Sequence, residues 1–356
     1  MRKAAISCGV VGVVLLIAAG LMAWWITPTY IARVPSGYNK TRVYTGTIRS
    51  VVNPQALATG NLAAAIKTGL PGTLSDQVRA LQTSGNTALI QDTRTVTAGG
   101  TTVAKTVERY AVNRQNLQAT TSHPSGWNVT PAKGLTVSWP LGAKKQNYTG
   151  WVYLAQTTTP LKFVRQAPQG GINTYEYQAA VPPTPIKNTQ VLAGLPKTLP
   201  VALLPRISAA GLISPAQLAS LEKAFPHATT IPLGYTYQAA NTYFVAPATG
   251  LVVNVANSET EMGGIALPNG RIIPLLPVLS DSYHATPASL RAAVTDARNG
   301  SSTITTWGVT VPIIAAAVGF LLVVLAILLW ILGRSRGRPV DVVPGRRHPS
   351  PAGQIS

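Results

Sequence analysis

Acidic, hydroxyl and imidazole side chains are the groups of this chain that could do acid–base or nucleophilic chemistry. Asp281, Ser282 and His284 are close together in the sequence, and these residue types form hydrolytic triads. A triad is assembled across a fold, however, and no G-x-S-x-G motif supports one here. Turn and cap chemistry ahead of Pro287 accounts for the same residues. The sequence therefore predicts no catalytic residues and a protein that is not an enzyme.

Metal binding has equally little support in the sequence. No Cys/His pair, H-E-x-x-H motif or carboxylate-rich loop occurs, so we expect no metal and no cofactor. Glu259 and Glu261 are the nearest acidic pair, and the polar segment around them predicts an exposed loop. The only cysteine, Cys8, lies in an apolar run, which leaves no disulfide outside it.

The most suggestive cluster is an aromatic run interleaved with lysines: Trp139, Lys144, Lys145, Tyr148, Trp151 and Tyr153. Indole faces and ammonium groups could contact lipid headgroups or sugars at a surface. The same pattern is typical of a hairpin whose aromatic rings pack into the core while the lysines occupy the turn. The sequence leaves both interpretations open.

Residues 27–308 carry a basic excess of 22 Lys and Arg over 9 Asp and Glu, a net charge of +13. Such an excess favours membrane lipids with anionic headgroups, or anionic envelope polymers, as partners. A solvated surface without a specific partner is the plainer alternative. Nucleic acid is not expected, because no recognition motif accompanies the scattered charges. The candidate ligand-binding residues are Lys144, Lys145, Trp139, Trp151, Arg33, Lys40 and Arg42.

Two charge-free apolar runs, 4–26 and 309–333, lie near the two ends of the sequence. Each exceeds the roughly 20 residues that an α-helix needs to cross about 30 Å of hydrocarbon. A cleaved signal peptide is the alternative for the first run. Trp24, Trp25 and Ile26 occupy the stretch where small residues would mark a cleavage site, which favours an uncleaved anchor.

The flanking charges predict the orientation of these helices. Cytoplasmic flanks are rich in Lys and Arg, which places 1–3 and the basic tail 334–356 in the cytoplasm and 27–308 outside. The residues that determine this are Arg2, Lys3, Arg334, Arg336, Arg338, Arg346 and Arg347. We therefore expect a two-pass protein of the plasma membrane with both termini cytoplasmic.

Small residues at four-residue spacing predict that the two helices pack together. Ala4, Cys8 and Gly12 form one such face, and Ala315 and Gly319 form the other. Small side chains let two helix backbones approach closely in a membrane.

The segment between the helices is predicted to be one β-rich α+β domain. β-Branched and aromatic residues in alternating patterns, bounded by turn residues, indicate its strands. The predicted strands are 41–48, 93–97, 101–107, 135–139, 150–155, 174–181, 235–238, 242–246 and 251–255. The last three of these form a meander.

Helices are predicted at 214–225 and 286–299, each from an N-cap hydroxyl followed by proline, with Gly300 ending the second. The Ala- and Leu-rich stretch 54–83 suggests one or two short helices. Prolines crowd 182–205 and exclude a regular helix or central strand there, so this segment is predicted to be an extended crossover or a plain linker.

The order of these pieces resembles the actinobacterial DUF3068 family, also called the PorA porin-like family. The motifs that resemble it are TGT at 45–47, RTVTAGGTTVAKTVERYAVN at 94–113, WPLGAKKQNYTGW at 139–151, TYEYQAAV at 174–181 and YFVAPATGLVV at 243–253. The resemblance implies a cell-envelope setting and the two-helix topology, and it transfers no catalytic residues. Ala246 stands where family members often have Asp before the turn. The architecture is also similar to the CD36 and LIMP-2 class of lipid receptors.

Together these features favour a non-catalytic envelope protein whose outer domain binds or transfers a lipid or other amphiphile. One alternative is a porin-like channel component, whose basic lumen would prefer anions. Another is a structural or assembly partner of other envelope proteins. The sequence does not indicate the oligomeric state.

Overall fold

The computed structural model describes residues 2–53, 55–56, 61–211 and 213–335, and they divide into two compact units. The helical unit combines the described residues up to Pro28 with those from Thr305 onward, and the sheet unit spans Thr29–Ile304. Most of the basic tail predicted to be cytoplasmic, including Arg336, lies outside the described residues.

The helical unit contains the two predicted apolar helices. The N-terminal helix spans Arg2–Leu21 and continues with π-helical hydrogen bonding over Met22–Ile31. The C-terminal helix spans Val311–Ser335. Both are long and apolar enough to cross a membrane, which confirms the two candidate spanning segments.

The two helices pack through small residues at a spacing that differs from the predicted one. The buried positions are Ala5, Gly12 and Ala19 on one helix and Pro312, Gly319 and Ala326 on the other, seven residues apart in each case. A Cβ added at Gly12 would lie 2.7 Å from the carbonyl oxygen of Gly319. Gly12 and Gly319 are thus confirmed as contact residues. Ala4 is exposed, so its predicted contact is wrong, whereas Cys8 and Ala315 are half-buried. A seven-residue repeat keeps the buried positions of one helix facing the partner helix.

The sheet unit is built from one antiparallel sheet, which confirms the predicted α+β, β-rich class. Its described strands are β1 (Asn39–Val52), β2 (Ile66–Ser84), β3 (Thr87–Ala98), β4 (Thr101–Asn113), β5 (Tyr148–Val152), β6 (Thr157–Gln169), β7 (Ile172–Pro185), β8 (Thr198–Pro200), β9 (Thr230–Val245), β10 (Val252–Ala266) and β11 (Ile272–Ala285). The order is β4-β3-β2-β1-β11-β10-β9-β7-β6-β5, with β8 also paired to β9.

Glycines fix two close features of this sheet. Gly99 and Gly100, with φ of +56° and +84°, form the predicted turn between β3 and β4. At Gly46 in β1, an added Cβ would lie 1.8 Å from the carbonyl oxygen of Ser282 in β11. A side chain at Gly46 would therefore force β1 and β11 apart, since backbone occupies that space.

One helix prediction and two strand predictions need correction. In 54–83, where one or two short helices were predicted, the described residues Gln55, Ala56 and Leu62–Ala65 are helical, but 66–84 form the long strand β2. The segment 135–139 is irregular, with Leu135 in isolated bridges only. The predicted pieces 235–238 and 242–246 are one continuous strand, β9. In the long strands, pairing on both sides outweighs the local turn residues that suggested breaks.

The Pro-rich segment 182–205 was predicted to lack a regular helix or central strand, but it contains the end of β7, the strand β8 and short helical segments. β7 extends through Pro182 and Pro183 to Pro185, with a register shift between Val181 and Thr184. There β7 pairs with β9 only, because its pairing with β6 ends at Gln178. A strand that needs no donor on its other side tolerates proline.

The helices of the sheet unit follow their cap signals. Helix Pro215–Ala224 has a capping box at Ser214, and helix Pro287–Thr305 begins after Thr286, whose hydroxyl accepts from the Ser289 amide. Shorter helical segments span Thr189–Ala193, Val201–Leu203 and Leu204–Ala209. Gly300 does not end its helix as predicted, because the helix continues to Thr305. An added Cβ at Gly300 would lie 2.8 Å from the Thr249 side chain, so glycine there allows close packing.

Buried clusters fill the sheet unit on several sides. The irregular segment between β4 and β5 packs on β6, β7 and β9 through Leu117, Leu135, Trp139, Tyr177 and Val245. Helices Leu204–Ala209 and Pro215–Ala224 pack near β8 through Leu204, Ile207, Leu221 and Ile231. These clusters leave one region of the sheet free of filling side chains.

Candidate functional site

The free region is a cavity of about 340 Å³ lined by residues of β1–β4 and β9–β11. Side chains of successive strand residues alternate between faces, so residues two apart such as Asn257, Glu259 and Glu261 line the cavity from one face of their strand. A smaller pocket of about 170 Å³ shares Tyr44, Asp76, Arg94, Tyr153 and Glu259 with it. A volume above 300 Å³ is within the range of small-molecule sites.

Three acidic residues, Glu259 and Glu261 of β10 and Asp281 of β11, line one wall; we call them the carboxylate trio. Glu259 lies directly opposite Asp281 in the antiparallel register, and Glu261 follows two positions along the same face. Directly opposed residues have Cβ atoms about 5 Å apart, so the three acids are neighbours. This location corrects the expectation that Glu259 and Glu261 lie in an exposed loop.

The trio is electrostatically strained. Burial, together with the negative charges of Glu259 and Glu261, raises the pKa of Asp281 to about 8 against the opposing charge of Arg49. Burial and the charge of Glu259 raise the pKa of Glu261 to about 7. The Arg49 guanidinium donates to the Asp281 backbone oxygen at 2.6 Å and to two serine hydroxyls. Arg49 therefore does not neutralise the trio by a direct ion pair.

Two buried oxygens at this wall have no hydrogen-bond partner. Asp281 and Tyr283 are each 4% exposed, and both line the cavity. Neither Asp281 Oδ1 nor the Tyr283 hydroxyl has a partner among the described residues. Buried polar atoms without partners are rare, so this pair indicates groups positioned for something that enters the cavity.

Another wall of the cavity combines Asp76, Arg94 and Tyr153. Arg94 pairs with Asp92 at 3.0 Å, and its guanidinium lies 4.6 Å from the centroid of the Tyr153 ring. Asp76 is directly opposite Arg94 across β2 and β3. Burial and the charge of Asp92 raise the pKa of Asp76, and Arg94 opposes them. Arg94 is thus a cation already held by acidic neighbours.

The remaining lining is largely apolar and aromatic. Its apolar members include Val51, Val52, Leu74, Val96, Leu154, Leu195, Val278 and Leu279, and its tyrosines include Tyr44, Tyr235 and Tyr243. Beside the cavity, the Gln190 amide exchanges two hydrogen bonds with the backbone of Val107 on β4. The cavity therefore offers apolar walls together with one acidic wall.

Metal binding finds no ready site here. Across the part of the chain that the structure describes, no group of three or more His, Cys, Asp or Glu side chains is arranged to hold an ion. The trio is close enough for electrostatic coupling without converging on one point.

The aromatic run predicted from the sequence has its rings inside and its lysines outside. Trp139 is 4% exposed and packs between Tyr177 and Tyr243, at ring-centroid distances of 5.2 and 5.1 Å. Lys144 and Lys145 are exposed, as expected for turn residues. A buried indole cannot contact a membrane surface, so the core-packing interpretation describes Trp139.

Trp151 is half-buried against the cluster that contains Tyr110. Lys145 Nζ lies 5.9 Å from the Tyr175 ring centroid. The backbone of Lys144 accepts from the Tyr177 hydroxyl at 2.6 Å, and its amide donates to the Tyr148 hydroxyl at 2.8 Å. The turn is therefore held rigidly, and ligand binding by its lysines stays a prediction.

The other predicted basic residues have local partners. Lys40 and Arg42 both donate to Asp296 on helix Pro287–Thr305, Lys40 at 2.8 Å. Arg33 lies over the Tyr30 ring at 5.1 Å. The structure therefore does not bring the seven candidate residues together at one site, and any headgroup role for these three remains a prediction.

The candidate triad residues do not converge either. Asp281 faces the cavity, whereas Ser282 and His284 alternate onto the opposite face of β11. They lie within a strand, which corrects the expectation of a turn before Pro287. His123 lies near Trp127, with the rings stacked at 6.2 Å, and its ring contacts the Pro124 carbonyl.

Sequence reasoning missed the cavity residues, although one signal was present. Asn257, Glu259 and Glu261 recur at every second position, as do Leu279, Asp281 and Tyr283. The intervening Ser258, Thr260 and Ser282 are also polar, so the alternation of apolar and polar residues that marks a strand is hidden.

Comparison with known proteins gives one match over nearly the whole chain. The family model for porin PorA matches residues 4–328. No curated protein matches the chain.

Two solved structures are weakly similar. The acyl-CoA thioesterase II TesB2 from Mycobacterium marinum is 12% identical with a TM-score of 0.12, over 70% of this chain and 81% of that chain. A conserved protein of unknown function with a hot dog fold from Alicyclobacillus acidocaldarius is 11% identical with a TM-score of 0.13, over 71% and 79%. TM-scores this low support no conclusion about fold or function.

Proposed function

This chain belongs to the porin PorA family, and we propose that its sheet unit binds a lipid or other amphiphile without catalysing a reaction. Family membership and the two long apolar helices make it a membrane protein of the cell envelope. The observation that carries the proposal is the cavity of about 340 Å³ with apolar walls and one acidic wall. A site of that composition suits a ligand that is apolar at one end and polar at the other.

The proposed orientation places both termini in the cytoplasm and the sheet unit outside the plasma membrane. It rests on the basic residues beside the two helices, including Arg2, Lys3 and Arg334. Reporter fusions at the two ends test it, and a C-terminus labelled from outside the cell would overturn it.

The ligand proposal is tested on the full chain purified from its native membrane, by lipid extraction and mass spectrometry. We expect a lipid to co-purify in near-stoichiometric amount. Val255 lines the cavity, and Val255→Phe should lower that amount by filling space. Val164→Phe is the matched control, because Val164 is 43% exposed on β6 and does not line the cavity.

A channel component is the second candidate, which the name of the matching family favours. Such a channel would prefer cations, because its wall carries carboxylates, whereas the basic composition of the sequence predicted a preference for anions. If no lipid co-purifies and planar bilayers containing the full chain conduct ions, the channel proposal replaces ligand binding. Equal lipid content in wild type, Val255→Phe and Val164→Phe would show that the cavity is not the binding site.

A further inference from the structure

The acidic wall of the cavity groups three carboxylates that pair with no cation in the described part of the chain. Among the described residues, Asp92, Glu176 and Asp296 each have an ion-pair partner within 4 Å and the buried Glu108 accepts from the Asn188 amide, whereas no member of the carboxylate trio has an ion pair. Carboxylates placed side by side without a cation repel one another and lose solvation. The fold keeps this arrangement at a wall that an incoming group can reach.

We propose that the trio and Tyr283 bind an ammonium group at the polar end of the amphiphile. The inference rests on the proposed function, because it assigns the ligand class of the same cavity. An ionised carboxylate only accepts hydrogen bonds, and an ammonium group offers up to three donors. The free Asp281 Oδ1 and Tyr283 hydroxyl provide two acceptors at the required place.

The surrounding side chains suit a cation in two further ways. Tyr235, Tyr243 and Tyr283 contribute aromatic rings to the lining, and ring faces attract ammonium groups. The apolar residues of the same cavity can hold the alkyl part. An anionic headgroup would instead face repulsion from all three acids.

A metal ion and an anion are the competing ligands that the structure disfavours. The described residues contain no cluster of acidic, His or Cys side chains arranged to hold a metal ion. Arg94, the buried cation at the cavity, is already paired with Asp92. An organic ammonium requires no convergent coordination geometry, so separate carboxylates can serve it.

The test compares three probes that share an eight-carbon chain and differ in the polar end: octylammonium, 1,2-octanediol and octanoate. Binding to the full chain in neutral detergent is measured by isothermal titration calorimetry. Octylammonium should bind about tenfold more tightly than octanoate, which corresponds to about 1.4 kcal/mol. Asp281→Asn, and separately Glu259→Gln, should weaken octylammonium by a similar factor and leave octanediol unchanged.

Two controls guard against loss of folding and against a general charge effect. Glu222→Gln removes one charge from an exposed helix position outside the cavity and should change octylammonium binding less than twofold. Tyr283→Phe removes only the free hydroxyl. Its effect should be in the same direction as that of Asp281→Asn, because both remove an acceptor.

The affinity for octylammonium should also depend on pH, whereas the affinity for the neutral octanediol should not. Octylammonium stays charged below about pH 10, as a lysine does. The groups acting on Asp281 are Glu259 and Glu261 from β10 and Arg49 from β1. As Glu261 and Asp281 lose protons between pH 6 and 8.5, the affinity for octylammonium should rise and that for octanediol should stay level.

Each outcome decides between the two proposals. If octanoate or octanediol binds as tightly as octylammonium, or if Asp281→Asn and Glu259→Gln have no effect, ammonium recognition is overturned while amphiphile binding stands. If none of the three probes binds and no lipid co-purifies from the native membrane, the proposed function itself fails.

Discussion

Two aspartates of the sheet unit, the half-buried Asp296 and the buried Asp281, differ in how their charge is balanced. Asp296 accepts from Lys40 at 2.8 Å and from Arg42. Burial alone would raise the pKa of Asp296, but the hydrogen bonds and positive charges of Lys40 and Arg42 lower it overall. Burial and neighbouring acids raise the pKa of Asp281 to about 8. The Asp296 carboxylate thus has two cationic partners within the fold, whereas the Asp281 carboxylate has none among the described residues.

The difference separates a structural contact from a candidate site. Asp296 joins helix Pro287–Thr305 to β1, so its ion pairs fix two elements of the sheet unit. Asp281 Oδ1 makes no hydrogen bond to the described residues, so it links no two elements. The neighbouring acids disfavour the ionised form of Asp281. Perturbed carboxyls in a cavity mark functional sites more often than paired ones at a contact between elements. The comparison therefore points to β10 and β11 as the functional wall.

Removing the paired carboxylate should have the largest effect on stability. Asp296→Ala leaves Arg42, whose side chain is 16% exposed, without its partner, and we expect a loss of about 2 kcal/mol. The free energy of unfolding of the full chain, measured by denaturant titration at pH 7, checks this. Glu222→Gln serves as the surface control. A loss no greater than the control value would mean that the ion pairs do not stabilise the contact.

Removing the unpaired carboxylate should have a smaller effect of opposite sign. Because the folded pKa of Asp281 lies above its unfolded value, the folded state holds the extra proton, and stability falls as pH rises from about 4 to about 8. Asp281→Asn should remove that fall and stabilise the protein by about 1 kcal/mol at pH 8.5.

Thermal unfolding of wild type and Asp281→Asn between pH 5 and 9 measures this effect. Asp296 acts on the other side of neutrality: its folded pKa is lowered, so its contribution is present above about pH 4 and lost in acid. Parallel pH profiles for wild type and Asp281→Asn would contradict the strained state of the trio.

The sequence predicted the elements whose signals are local. Ser214 and Thr286 each precede a proline, and both cap helices at the expected positions, because a cap depends on only a few consecutive residues. The two apolar runs were equally clear, since spanning a membrane requires only length and hydropathy. The predicted α+β class followed from these signals and the strand patterns.

The cavity could not be predicted in the same way, because it depends on register. Glu259 and Asp281 are 22 positions apart in sequence and become neighbours only through the pairing of β10 with β11. The register shifts within that pair, at Glu261/Met262 and Gly263/Gly264, are not visible in the residue pattern. The basic excess of the composition predicted a charged surface, whereas the carboxylate trio is acidic and lines a cavity.

Charge reversal of the surface residues Lys144 and Lys145 should have the smallest effect on stability. It also tests a basic surface against the acidic cavity. Lys144 and Lys145 are exposed, and the double variant Lys144→Glu with Lys145→Glu should change the free energy of unfolding by no more than about 0.5 kcal/mol. The variant should still weaken the association of the full chain, held in nanodiscs, with phosphatidylglycerol vesicles, because charge reversal replaces attraction with repulsion. Octylammonium binding in the cavity should stay the same.

The matched control is Lys197→Glu with Lys223→Glu, two exposed lysines outside the aromatic hairpin with the same total change in charge. If both double variants weaken vesicle association equally, net charge is responsible, and Lys144 and Lys145 act as ordinary turn residues.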